Sequence, residues 1–432
     1  MKTIRRILIT GLLVYACLAT QASYAPASPD KIQNDQQTTL YFRGKVVDSD
    51  NGTPLIFASV AVKETNVATI TNIDGEFLIK INESDASRNL EITYLGYRNK
   101  VVPLSELRSD DFKNIIELSP APIPIKEIVV RPLDPEEIVR SAIGKISKNY
   151  TDVPNLMTAF YRETIKKNRN YVSIGEAVVE IFKAPYNNDL RFDGARIYKG
   201  RKSSDVERMD TLLFKLQGGP VSVLQLDIVK NQEAILTFDA MQYYDYRLSS
   251  VIEIDEKPHY VIEFKQKPSV DMPLFMGSFF IEADTYALTE AEFGFNLDDK
   301  EAVSSIFIRK KPLGVQVTPE VATYRTKYRE QDGRLYFAYS RAEVRFKVNW
   351  KKKLFNTFYT TMSEIAITDR TTEEVIKIPR DEKIRQSDVF SEEVGDFTDP
   401  EFWGDYNVIE PDQSIESAIK RLRRKLRFSE RE

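Results

Sequence analysis

The sequence predicts a mainly β protein in two parts, a small N-terminal sandwich followed by a large antiparallel β domain. Three observations predict it. Short runs rich in Val, Ile, Phe and Tyr recur between residues 40 and 118, with turn residues between them. Longer runs after residue 156 alternate apolar and polar side chains, as strands with one dry and one wet face do. A Pro-rich stretch, Ser119-Pro120-Ala121-Pro122-Ile123-Pro124-Ile125, separates the two regions.

The short runs of the first part are 40–47, 57–63, 67–71, 76–81, 89–94 and 114–118. Asn51-Gly52-Thr53-Pro54, Asn72-Ile73-Asp74-Gly75 and Leu95-Gly96-Tyr97 supply the turns. Asp74-Gly75 provides the positive φ of a tight hairpin, and Pro54 fixes φ after a turn. Asp48, Asp50 and Asn51 lack the spaced ligands and the distal Glu of a calcium loop, so they read as turn chemistry.

Gly44-Lys45-Val46-Val47-Asp48, Gly52-Thr53-Pro54-Leu55 and Ala58-Ser59-Val60 resemble the opening of the carboxypeptidase regulatory-like family. Thr71-Asn72-Ile73-Asp74-Gly75-Glu76-Phe77 is similar to its central hairpin, and Ile92-Thr93-Tyr94-Leu95-Gly96-Tyr97 to its closing strand. The resemblance implies a prealbumin-like β-sandwich over 40–118, an accessory module without a peptidase site.

Residues 119–133 read as a Pro-rich connector that includes a short strand near Ile125–Val130. This resembles the junction between sandwich and plug in TonB-dependent outer-membrane receptors. No plug motif follows, and some 300 residues cannot supply a receptor barrel. The second domain is expected over 134–378. It opens with a helix at 135–149, N-capped by Asp134, with Pro135 at N1 and Glu137 closing a capping box. Ile138, Val139, Ala142, Ile143 and Ile146 recur at helical spacing and predict one apolar face.

The strands expected after it are 171–183, 260–266, 277–282, 287–295, 321–329, 334–348 and 358–367. The stretch 205–256 is interrupted and predicts short helices, with Gly218-Gly219-Pro220 marking a loop. Tyr260–Phe264, Gly277–Ile281, Asp284–Leu288 and Ala291–Phe295 resemble the strand unit of periplasmic lipoprotein-carrier folds. That resemblance implies a curved half-barrel packed on a helix, with an apolar cavity for acyl chains.

Residues 379–432 form a charged tail with Phe397, Phe402, Trp403 and Tyr406 in its first part. Aromatics in such a tail pack back onto a domain or form a partner patch. Residues 413–428 predict an amphipathic helix with Ile415, Ile419, Leu422 and Leu426 on one stripe, among Lys420, Arg421, Arg423, Arg424, Lys425 and Arg427. Two readings stand: a docked terminal helix, and peripheral contact with an anionic membrane surface.

The N-terminus predicts export. Lys2, Arg5 and Arg6 precede an apolar run from Ile7 to Ala19, and Ser23-Tyr24-Ala25 has the small residues of a cleavage site. Residues 1–25 therefore read as a signal peptide and 26–39 as a flexible leader. Val14-Tyr15-Ala16-Cys17 loosely resembles a lipobox, so lipidation at Cys17 is the alternative to a simple signal peptide. Cleavage at Ala25 would leave no cysteine, since the chain has one. The expected location is the periplasm or the outer membrane, and the combination resembles exported proteins of Bacteroidetes-type bacteria.

The 432 residues are 42% hydrophobic and 29% charged, enough apolar material for more than one core. A net charge of −4 gives no electrostatic case for nucleic acid. His259 is the one histidine, so no zinc-peptidase ligand set and no cofactor or metal site is expected. It follows Pro258 at a strand start and reads as an ordinary surface or loop residue. No GxSxG elbow, Walker or dinucleotide-binding pattern occurs. Among 65 Asp and Glu residues nothing selects a glycosidase pair. No catalytic residue is assigned, and the expectation is a non-enzymatic envelope protein acting in binding or assembly at the periplasm or outer membrane, with an envelope protein, lipid or glycan as partner. A lipid or lipoprotein carrier is the first alternative and a carboxylate-based glycoside hydrolase the second.

Overall fold

The computed structural model describes residues 38–109, 114–121, 134–187, 192–204, 218–232, 235–307, 314–351, 355–396 and 402–429. The signal peptide, Cys17, nearly all of the leader, most of the connector with its strand at 125–130, and Phe397 lie outside the described residues.

The first seven strands are β1 (Thr39–Asp48), β2 (Ser59–Val62), β3 (Ala68–Ile70), β4 (Glu76–Asn82), β5 (Asn89–Thr93), β6 (Lys100–Pro103) and β7 (Ile115–Leu118). They form two facing sheets, ordered β4-β1-β7 and β3-β2-β5-β6. Val46, Val60, Phe77, Ile79, Leu90 and Ile92 fill the space between them. Strand β6 is absent from the sequence reading because Lys-Val-Val-Pro is short, and its edge position lets half of it face water.

The β3–β4 turn shows why its residues are needed. Asn72 Oδ1 accepts from the backbone N–H groups of Asp74 and Glu76, both at 2.9 Å. Gly75 has φ 75°, and a Cβ there would lie 2.7 Å from the Val46 carbonyl oxygen. Asp48 likewise accepts from the backbone N–H groups of Asp50 (2.7 Å) and Asn51 (3.2 Å), as a turn aspartate does.

Helices α1 (Pro135–Gly144) and α2 (Ile146–Asn149) follow. Asp134 caps α1 by accepting from Glu136 N at 2.9 Å. Glu137 does not complete the box that the sequence suggests, because its carboxylate accepts from Arg140 Nε at 3.2 Å. The predicted apolar face, Ile138, Val139, Ala142, Ile143 and Ile146, is buried.

The second sheet is built from β8 (Asn155–Lys167), β9 (Asn170–Lys183), β10 (Gly194–Ser204), β11 (Tyr244–Ile254), β12 (Lys257–Gln266), β13 (Phe275–Glu282), β14 (Leu288–Phe295), β15 (Val315–Gln331), β16 (Arg334–Trp350) and β17 (Thr357–Thr371). Two residues of β18 (Gly395–Asp396) pair parallel to β10 at its rim. The order is β11-β12-β13-β14-β15-β16-β17-β8-β9-β10-β18, open at both ends. Apart from β18 every neighbouring pair is antiparallel, and the last long strand returns to pair with the first, Ile365 opposite Tyr161.

The sheet's inner face holds the main core. Helices α1 and α2, α3 (Gly219–Leu224) and Phe390 of α5 (Phe390–Glu393) pack there against Met157, Tyr161, Val179, Ile262, Phe279 and Phe337. The outer face carries the sandwich and the tail, joined by Ile70, Phe160, Val178, Tyr339, Trp403, Val408 and Ile409. Helix α4 (Lys300–Phe307) lies against β15, and α6 (Gln413–Ser429) docks on β9 through Ile415 and Ala418, beside Tyr171 and Ile174. The predicted terminal helix is present and its first half is docked. The side chains of Leu422 and Leu426 lie outside the described residues.

Three expectations need correction. The stretch 205–256 carries short helices at Gly219–Leu224 and Ala240–Tyr243, but Tyr244–Ile254 form a strand, which the sequence hides because a bulge between Leu248 and Ser250 breaks the period-two pattern. Gly218-Gly219-Pro220 is a helix start, with Gly218 at the N-cap and Pro220 in the first turn of α3. His259 is neither a surface nor a loop residue. It lies on the outer face of β12, 1% exposed, because the sandwich covers it.

Candidate functional site

The outer face of the large sheet carries one line of residues in direct register across ten strands. From β11 to β10 it reads Arg247, Glu263, Ser278, Glu292, Arg325, Arg341, Glu364, Arg162, Glu176 and Arg201. Opposite charges on adjacent strands attract, so the line is a ladder of ion pairs. Arg247 pairs with Glu263, and Arg325 with Glu292. Arg341 lies 3.3 Å from Glu364, which is 3.5 Å from Arg162. Arg162 lies 2.9 Å from Glu176, and Glu176 is 3.0 Å from Arg201.

The middle of this ladder is sealed. Arg162 is 2% exposed, and its Nη2 also donates to the Ile409 carbonyl of the tail at 2.7 Å. Burial works against its charge, but Glu176 and Glu364 outweigh burial and raise its pKa. The Arg201 guanidinium lies 4.6 Å from the Trp403 ring centroid, and Trp403 meets Phe160 edge-on at 5.5 Å. The aromatics of the tail therefore pack back onto the sheet.

The alternation fails at two places. Ser278 interrupts it between Glu263 and Glu292, and Arg325 stands directly opposite Arg341. Both lie in one groove of about 640 Å³ on the outer face. Small residues on β13–β15, Ser278, Gly294 and Thr323, leave the floor low. Met276, Phe295, Leu297, Glu320 and Glu343 stand around it.

Phe57 of the sandwich forms the remaining wall. Its φ of 63° lies in the left-handed region, which costs a bulky residue energy and needs outside support. The support is local: Phe57 N donates to Thr71 O at 3.1 Å, and Lys327 Nζ donates to Phe57 O at 3.2 Å. The ring stacks on Tyr339 at 5.7 Å, with the Arg341 and Arg325 guanidinium carbons 5.0 and 5.8 Å from its centroid. Beyond Phe57 lies a smaller recess of about 70 Å³, which shares Phe57, Arg341 and Glu343 with the groove.

A second buried polar cluster sits on the inner face. Lys183 and Asp227 are fully buried 2.6 Å apart, and Asp193 accepts from the same ammonium. Tyr186 and Tyr328 each donate to Asp227 at 2.7 Å. Burial disfavours the Lys183 charge, but the two aspartates prevail and its pKa is raised. With every acceptor engaged, this cluster pins the 226–231 segment to the sheet and leaves nothing free for chemistry.

Glu163 and His259 are two further buried titratable groups. Burial pushes the Glu163 carboxyl up to about 7, against the Tyr161 hydroxyl that donates to it at 2.8 Å. Burial depresses His259 to about 4. Its Nδ1 lies 2.9 Å from the Lys257 carbonyl oxygen and so bears the proton. His259 stands opposite Glu282 on β13, whose carboxylate lies 3.4 Å from the Lys257 ammonium. No cluster of His, Cys, Asp and Glu suited to a metal occurs among the described residues. The inner face, where a carrier would hold acyl chains, is occupied by the side chains of α1, α3, Ile235, Leu236 and Phe390.

The sequence reading assigned no site residue, so every groove residue was missed. Each strand alone shows an ordinary polar face, and the ladder exists only once nine registers are known.

The fold and the turn geometry of residues 39–118 fit one family. Residues 42–130 match the CarboxypepD_reg-like domain. The sandwich thus matches the family that its turns suggested, and this regulatory-like domain supplies Phe57 to the groove. No curated protein matches the chain. Among solved structures, a DUF1329 family protein from Desulfovibrio piger is 12% identical. It matches 56% of this chain and 95% of its own at a TM-score of 0.26. A domain assigned to outer membrane lipoprotein sorting in Vibrio parahaemolyticus is 10% identical over 56% of this chain and 95% of its own, TM-score 0.25. Lipovitellin is 9% identical over 59% of this chain and 29% of its own, TM-score 0.26. These overlaps are too loose to bear on ligand or activity.

Proposed function

We propose that this is a non-enzymatic, exported protein of the cell envelope, periplasmic or outer-membrane-associated, that binds a small polar ligand. The ligand lies in the groove between the regulatory-like domain and the outer face of β13–β16. One observation carries the reading: a groove of about 640 Å³, with Phe57 held in a strained conformation as one wall. Its volume falls in the range of small-molecule sites, about 300–1,000 Å³. Its charged residues are fixed by ion pairs, so the groove keeps its shape without a ligand, and little ordering opposes binding.

The N-terminal pattern of Lys2, Arg5, Arg6 and Ser23-Tyr24-Ala25 supports export. Among the described residues no helix is long and apolar enough to cross a membrane, which bears on helices alone. The carboxylates of the ladder are held by arginines among the described residues, which favours binding over catalysis.

The test is a thermal-shift screen of peptides, oligosaccharides and nucleotides on the mature protein, repeated with Thr323→Trp. Thr323 is exposed on the groove, so an indole there fills space without disturbing a core. Hits on the parent that vanish with Thr323→Trp support the reading. Hits that Thr323→Trp leaves unchanged, or a screen with none, overturn it.

A further inference from the structure

We propose that one rim of the large sheet docks on an anionic membrane surface. The rim is formed by the β8–β9 turn, the β16–β17 loop and the cationic half of α6. None of the residues it uses lines the groove.

Strand register puts these segments at one end of the sheet. Tyr359 near the start of β17 stands opposite Lys167 at the end of β8, and Thr357 stands opposite Val348 near the end of β16. Val315 opens β15 opposite Trp350, the last residue of β16. Hydrogen bonds tie the tips together. Asn168 N donates to Phe358 O at 2.7 Å, and Phe358 N donates to Asn168 Oδ1 at 3.0 Å. Lys351 N donates to Gly314 O at 3.1 Å. Arg421 Nη2 donates to Tyr171 O at 3.0 Å, so the cationic half of α6 starts beside the β8–β9 turn. From β15 to β9 is four strand steps, about 19 Å at roughly 4.8 Å per step. The segments therefore share one footprint.

The charge of this rim opposes that of the chain, whose net charge is −4. Residues 165–171 hold three cations and no acidic residue, residues 349–358 three and none, and residues 417–429 six and none. Arg169 and Lys351 are exposed at the two tips, and Lys420 is exposed on α6. A basic rim on an acidic molecule turns that rim towards anionic lipid, because the rest of the surface is repelled.

An apolar element selects lipid over a soluble polyanion. Phe355 is 84% exposed and lies four residues past Lys351 in the β16–β17 loop. A single exposed phenylalanine is ordinary on a protein surface. Among cations at a loop tip it can enter the boundary between headgroups and acyl chains while its neighbours meet the phosphates. The sequence of α6 follows the same plan, with Leu422 and Leu426 interleaved among Arg423, Arg424, Lys425 and Arg427.

The experiment sediments the mature protein with sucrose-loaded vesicles, either phosphatidylcholine alone or with roughly one-third phosphatidylglycerol. Binding to the anionic vesicles and none to the neutral ones is expected, and salt should weaken it. Arg169→Ser and Lys351→Ser should each cost about fivefold in affinity, and the pair about thirtyfold. Phe355→Ser should cost about tenfold. Lys148→Ser is the control and should change nothing. Lys148 is exposed at the far end of β16, where Arg334 donates to its carbonyl, about 50 Å along the strand from Trp350. Circular dichroism of each variant checks the fold. Equal binding to both vesicles, binding to neither, or a loss with Lys148→Ser matching that with Lys351→Ser overturns the proposal. Binding that polyglutamate abolishes and Phe355→Ser leaves unchanged identifies an acidic polymer, and overturns the membrane as partner. Thr323→Trp should leave vesicle binding intact, so the groove and the rim fail separately.

Discussion

Glu163 gives a test whose sign and size both follow from its surroundings. It lies on the inner face of β8, 4% exposed, with Tyr161 donating to it at 2.8 Å and the Phe390 ring nearby across Gly175. Burial raises its pKa from 4.5 to about 7. In the unfolded chain the group ionises near 4.5, so between these values the folded state binds the extra proton. Stability from this residue is then complete below about pH 4.5 and is lost as pH rises through about 7. The difference of roughly 2.5 pH units corresponds to about 3 kcal/mol at 1.36 kcal/mol each. Glu163→Gln keeps an acceptor for Tyr161 and removes the titration. The variant should match the parent near pH 4 and exceed it by about 3 kcal/mol at pH 8. Urea unfolding followed by circular dichroism, from pH 4 to 8.5, reads the difference, and contributions shared by both proteins cancel. Parallel curves at every pH, or a variant less stable at pH 8, would refute the assignment of a dry, unpaired carboxyl.

His259 should act with the opposite slope. Its pKa falls from 6.5 to about 4, so its contribution is complete above about pH 6.5 and is lost as pH falls through about 4, by roughly 3 kcal/mol. In His259→Asn that part of the acid loss should be missing from the same urea series, whatever constant offset the substitution brings. Arg162→Met leaves Glu176 with Arg201 and Glu364 with Arg341, but frees the Ile409 carbonyl and breaks the sealed centre. A cost of about 3–5 kcal/mol is expected, with faster hydrogen exchange of the 402–412 amides than elsewhere. Unchanged exchange in that segment would mean that the tail is held by its aromatics alone.

The strands that the sequence reveals and those it hides differ for a physical reason. Strands β12, β13, β14 and β16 have one face towards the core and one towards water or charge, so alternation exposes them. Strand β8 is buried on both faces, with Met157, Ala159 and Tyr161 inward and Phe160 and Arg162 beneath the tail, so its pattern carries no period. Strand β10 combines Gly194, Gly200 and four cations, and reads as a loop until β9 is beside it. The same reason hides the groove. Ser278, Arg325, Arg341 and Phe57 are separated by up to 284 positions in the chain, and each has an unremarkable local setting.

By itself the sequence determined the β class, the regulatory-like sandwich with its turn residues, and the apolar face of α1. These depend on contacts a few residues apart: the φ of Gly75, the acceptors of Asn72, and a helical or two-residue period. The tertiary structure alone decided the order of the large sheet, the burial of His259 and Glu163, the sealing of the ladder by the tail, and the existence of a groove. Those depend on register between strands distant in the chain, and a register sets which charges meet and which pair is left open.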